Sequence, residues 1–65
     1  MLTVHQLSAQ YTIDLIGTKY RHNGPYGTDV MTIIGKEPGF GILFHSKITN
    51  KEHYMYDHCT LIKET

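Results

Sequence analysis

The stretch Val30–His45, VMTIIGKEPGFGILFH, constrains the fold more than any other part of the chain. Four of the five residues Val30-Met31-Thr32-Ile33-Ile34 are β-branched, which suits a pleated, half-buried surface. Phe40, Ile42 and Phe44 follow at alternate positions, the spacing that puts side chains on one face of a strand. Between them, Pro38 presets φ for the second position of a turn, and Gly39 tolerates the positive φ that a type II turn demands next. A β-hairpin at the centre of the chain is the expectation.

The flanking segments extend this pattern. Tyr11–Ile16 alternates, with Ile13 and Leu15 on one face, and Gly17-Thr18 marks a bend before Lys19–His22. Asn23–Asp29 holds two glycines, a proline, Asn and Asp, and reads as a loop. Lys47–Glu52 supplies a polar turn with Asn50 as its left-handed residue. His53–His58 is a further strand, with Tyr54 and Tyr56 on one face and Met55 on the other, and Cys59–Lys63 is the last. Thr3–Tyr11 admits two readings. Thr3 can cap a short helix carrying Val4, Leu7 and Tyr11 on one stripe, or the segment can run extended as an edge strand. With one alanine against 17 Thr, Ile and Val, a helical bundle is disfavoured. The predicted class is all-β, with about five short strands at barrel or sandwich spacing and a core of Ile13, Leu15, Met31, Ile33, Phe40, Ile42, Phe44, Met55 and Leu61.

Ile16-Gly17-Thr18-Lys19-Tyr20-Arg21-His22, a glycine-bearing loop, Val30–Gly35, Ile42-Leu43-Phe44 and a terminal Leu61-Ile62 together resemble the small SH3-like β-barrel proteins of bacteria and their phages. The resemblance spans residues 13–63. It implies a five-stranded SH3-like barrel over 13–63 and a phage or prophage origin; the length of the chain makes 1–65 one domain, with the short N-terminal helix or strand within 1–12 added to the barrel. It implies no activity. The first twelve residues are extra to that pattern, and the late tryptophan and arginine of such chains are missing.

Sixty-five residues leave a small core with little stability margin. Cys59 is the only cysteine, so an internal disulfide is excluded and a homo-oligomer or a stabilising partner is expected. Six basic residues balance six acidic ones, which counts against tight non-specific nucleic-acid binding. No apolar run approaches the length of a membrane span, and Met1–His5 lacks the character of a signal peptide. With one unpaired cysteine, these features point to the cytosol and away from a membrane.

Chemistry-bearing constellations are sparse. His53, Asp57, His58 and Cys59 are metal-ligand types, but a single cluster with one cysteine lacks the paired spacing of a structural zinc site, so no metal and no cofactor are expected. His58 and Cys59 are sequence neighbours whose side chains diverge on a strand, and a hydrolase needs an oxyanion hole and a substrate cleft besides. Cys59 reads as a small buried apolar residue. Gly39-Phe40-Gly41 reads as turn glycines, since no phosphate-loop pattern surrounds it. The chain is therefore read as non-enzymatic.

What stands out is a supply of aromatics suited to interfaces. Tyr26, Tyr54, Tyr56, Tyr20 and His22 are the partner-binding candidates, with Tyr26 on a Gly-Pro-Tyr-Gly tip. The leading expectation is a protein-binding module that binds and inhibits or redirects a bacterial host protein, its phage setting resting on the resemblance. An alternative is a single-stranded RNA- or DNA-binding barrel using Tyr20, Arg21, Lys47, Lys51, Tyr54 and Tyr56, with tyrosines for stacking and cations for phosphate. A third reading is an oligomeric sponge holding a small nucleotide-like ligand between subunits.

Overall fold

The computed structural model describes residues 1–64. The described residues form six strands and one short helix, in the order β1 (Leu2–Thr3), α1 (Val4–Ala9), β2 (Lys19–Gly24), β3 (Gly27–Glu37), β4 (Gly41–Ser46), β5 (Glu52–Tyr54) and β6 (Thr60–Lys63). A 3₁₀ turn occupies Ile13–Leu15. All pairings are antiparallel, and the sheet order is β1-β6-β2-β3-β4-β5. The sheet curls into a half-barrel of six strands, one more than the sequence suggests.

The central hairpin forms because its turn chemistry and its alternation agree. Phe40 N–H donates to the Glu37 carbonyl at 3.1 Å, closing a turn in which Pro38 precedes Gly39 at φ +84°. Along β4 the inward positions are Ile42, Phe44 and Ser46, and along β3 they include Met31 and Ile33. Ile33 faces Phe44 and Gly35 faces Leu43, so Ile34 is an extra residue on β3. Such a bulge bends its strand. It lets one eleven-residue strand serve both β2 and β4 as the sheet curls. Asn50 closes the β4–β5 turn at φ +56°, the left-handed conformation expected of it.

The N-terminal segment is both things the sequence allowed. Leu2 and Thr3 pair with Leu61 and Thr60, and the chain then turns directly into α1. A six-residue helix is too short to stand alone. A reciprocal capping box starts it: Gln6 N–H donates to Thr3 Oγ1 at 3.1 Å, and Thr3 N–H donates to Gln6 Oε1 at 2.9 Å. The Val4 and His5 amides donate to the carbonyls of Cys59 and Asp57, and Lys36 Nζ donates to the Ser8 carbonyl. These bonds hold Val4 and Leu7 in the core beside Tyr20, Met31, Ile33, Ile42, Phe44 and Leu61.

Several expectations need correcting. Tyr11–Ile16 is no strand. Leu15 and Ile16 amides bond to Thr12 and Ile13 carbonyls, and this tight turn leaves Ile13 75% exposed, while Leu15 packs against the core from its edge. Phe40 belongs to the hairpin turn, one residue before β4 begins, so it is 73% exposed and outside the core. Asn23–Asp29 is a tight hairpin. Gly24 pairs with Gly27, and only Pro25 and Tyr26 lie at the tip. The strand expected over His53–His58 stops at Tyr54, and the next five residues run irregularly to β6. Met55 packs against the core from that irregular segment.

Candidate binding cleft

Three inward rows of the sheet change character along their length. On β2 the row passes from buried Tyr20 to His22, on β3 from Ile33 and Met31 to Asp29, and on β4 from Phe44 to Ser46. Register places these changes side by side, since Tyr20 pairs with Met31, His22 with Asp29 and Met31 with Ser46. The core therefore ends in polar groups at one end of the half-barrel. There a cleft of about 290 Å³ opens.

Three surface elements wall it. The β2–β3 turn contributes Tyr26, the β4–β5 turn contributes Ile48 and Thr49, and the end of β5 with the irregular segment beyond contributes Tyr54 and Tyr56. Tyr26 and Tyr56 are 82% and 77% exposed. Two of the rings are backed by others. Tyr54 stacks on Phe40 with centroids 5.6 Å apart, and Tyr56 on His58 at 5.7 Å and 14°. Phe40, lost to the core, thus supports a wall of the cleft.

The polar groups of the cleft are bonded to one another. Ser46 Oγ donates to Asp29 Oδ2, the Ile48 amide donates to Asp29 Oδ1 at 3.0 Å, and the Thr49 amide donates to Ser46 Oγ at 3.2 Å. His53 Nε2 lies 2.7 Å from Thr49 Oγ1. His22 Nδ1 lies 3.1 Å from the Thr60 carbonyl and must donate to it, which puts the ring proton on Nδ1. Among the described residues, no buried side-chain nitrogen or oxygen lacks a partner. Burial works to raise the Asp29 carboxyl. The Ser46 hydroxyl and the backbone amides around Ile48, Val30 and Lys47 outweigh it and hold the carboxyl below its ordinary value. Asp29 is therefore a fixed anion at neutral pH.

The sequence-predicted site residues divide. Tyr26, Tyr54, Tyr56 and His22 line the one cleft. Tyr20 is 4% exposed and belongs to the core, because its position on β2 faces inward opposite Met31; it offers no ring to a ligand in this fold. The set considered for nucleic acid is dispersed. Arg21 lines a second, smaller depression with Asn23, Thr28 and Ile62, and Lys47 and Lys51 are exposed on the β4–β5 turn without lining the cleft. Asp29 and Ser46 are not among the sequence-predicted site residues. The signal that finds them is the continuation of the inward period beyond Met31 and Phe44.

Among the described residues, no three His, Cys, Asp or Glu side chains gather as a ligand set for a metal, and no helix is long and apolar enough to cross a membrane. No family model, no curated protein and no solved structure matches the chain.

Proposed function

We propose that this chain is a non-enzymatic protein-binding module, built as an SH3-like barrel, with the rim of the cleft as its partner-binding surface. The carrying observation is the gathering of exposed Tyr26, Tyr54 and Tyr56, from separate elements, around one cleft. Interface hot spots favour large aromatics that bury area at small conformational cost, and here two of the three rings are already held by stacking. The SH3-like reading is supported by connectivity. The strands β2 to β5 form a meander, and β6 returns to pair with β2. The non-enzymatic reading rests on the sparse chemistry-bearing constellations of the sequence. A phage or prophage origin and a bacterial host protein as the target rest on the family resemblance. A homo-oligomer is also proposed, favoured by two sheet edges, β1 and β5, that each lack a strand neighbour among the described residues.

The test is capture of a bacterial host protein by the tagged chain, from lysate divided into nuclease-treated and untreated halves. The expected result is a stoichiometric protein that survives nuclease and is lost on Tyr26→Ala or Tyr56→Ala, while Lys47→Ala, outside the cleft, retains it. Capture that disappears with nuclease transfers the function to nucleic acid. Capture indifferent to both tyrosines removes the cleft from the account.

A further inference from the structure

We infer that the cleft recognises an alkylated ammonium cation, a trimethylammonium group, seated among Tyr26, Tyr54 and Tyr56 above the Asp29 carboxylate. The inference goes beyond the binding-module reading, since the group can arrive on a partner's side chain or on a free small molecule.

Three observations converge on this class of ligand. First, the charge is one-sided. Among the described residues, Asp29 is the one carboxylate lining the cleft, and no lysine or arginine lines it. His22 and His53 are the other ionisable groups beside it, apart from the tyrosines and Cys59. Phosphate or carboxylate ligands would meet a fixed negative charge and no cationic partner, whereas a cation is attracted. Second, the walls carry three aromatic rings. Aromatic rings attract a cation through their quadrupoles, and the attraction grows where water is displaced. Third, the hydrogen-bonding groups around Asp29 are already engaged. The Asp29 oxygens, Ser46, Thr49, His53 and the Nδ1 of His22 already have partners within the protein. A nucleobase or a primary ammonium leaves its donors poorly matched in such a place. A quaternary ammonium has no N–H to satisfy. Its charge is spread over methyl groups that also suit Met31, Met55 and Cys59 in the lining. The size is right as well: about 290 Å³ is at the small end of ligand sites, matching a head group more than a drug-sized molecule.

The experiment is an NMR titration of the intact chain at constant ionic strength with four probes. These are choline, its neutral analogue with carbon in place of the quaternary nitrogen, and N-acetyl lysine amide with and without trimethylation. Saturable shifts at the amides of Asp29, Ile48 and Tyr54–Tyr56 are expected with choline and the trimethylated lysine. The neutral analogue and unmodified lysine should bind at least about tenfold more weakly. Tyr56→Ala should lose binding to a similar degree and Tyr56→Phe should restore it, and Asp29→Asn should weaken it several-fold. Tyr56 is exposed, and an unchanged far-UV spectrum confirms that its variants fold. Preference for the trimethylated lysine identifies a modified side chain as the source, and preference for choline a free molecule. Equal binding of the neutral analogue, or no saturable shift with either cation, overturns the inference. Tyrosine-dependent protein capture without ammonium binding overturns it alone and leaves the binding module standing. Ammonium binding without protein capture does the reverse.

Discussion

The two ends of the half-barrel are built from the same inward rows and finish differently. At one end Ile33, Ile42 and Phe44 meet Val4 and Leu7 of α1, and every one of these residues is buried. At the other end the rows arrive at His22, Asp29 and Ser46, and three tyrosines stand around a cleft. The closed end gains stability from apolar burial. The open end keeps apolar area exposed and keeps its polar groups in place by local bonds. In a chain of 65 residues, which has little surplus core, leaving one end uncovered has a stability cost that binding can justify. The difference assigns stability to one end and recognition to the other.

The sharpest way to break that division is to exchange equivalent cuts between the ends. Phe44→Ala removes a side chain with no exposed surface and should cost about 3–5 kcal/mol, enough to unfold so small a domain at room temperature. Phe40→Ala removes the same atoms from an exposed turn and should cost less than about 1 kcal/mol, chiefly through its stacking on Tyr54. Urea denaturation of both variants checks this. Similar losses in the two would mean that the open end carries the fold as well.

A second, smaller effect tests how the closed end is sealed. α1 depends on its capping box, because six residues cannot nucleate a helix unaided. Thr3→Ala removes the Oγ1 acceptor for the Gln6 amide and should cost about 1 kcal/mol, with Thr3→Ser close to neutral. Loss of helical signal with no change in the denaturation midpoint would show that the helix contributes nothing to closure.

The closed end was largely legible in the sequence, and the open end only in part. Met31, Ile33, Ile42, Phe44 and Leu61 were predicted as core and are buried, because alternation on a strand with one face inward leaves little choice. The same rule misplaced Ile13 and Phe40, where turns interrupt the period: a 3₁₀ turn takes Ile13 out of the sheet, and a type II turn ends after Phe40. Tyr20 shows the opposite error. A tyrosine in a polar segment, Lys-Tyr-Arg-His, reads as surface, yet the pairing of β2 with β3 sends it inward. Tyr26, Tyr54 and Tyr56 were recognisable as exposed aromatics, but their meeting around one cleft depends on how far the sheet curls. No local pattern in the sequence encodes that curl beyond the residues of the Ile34 bulge.

The smallest effect belongs to the polar base of the open end. Asp29 accepts from Ser46 Oγ and from the Ile48 amide, and these bonds favour its charged form strongly enough to outweigh the burial that opposes it. With the folded-state carboxyl below its unfolded value, its contribution to stability is complete above the ordinary carboxylate range. That contribution fades as pH falls through the lower folded value. Because the group is only half-buried, solvent screening keeps it to about 1 kcal/mol or less. Asp29→Asn should therefore lower the urea midpoint slightly at neutral pH, and the gap from the unaltered chain should narrow below about pH 4. A gap that stays constant with pH would mean that Asp29 holds the β4–β5 turn by shape alone. Its charge would then be free of any structural duty, leaving ligand attraction as the one role that depends on ionisation.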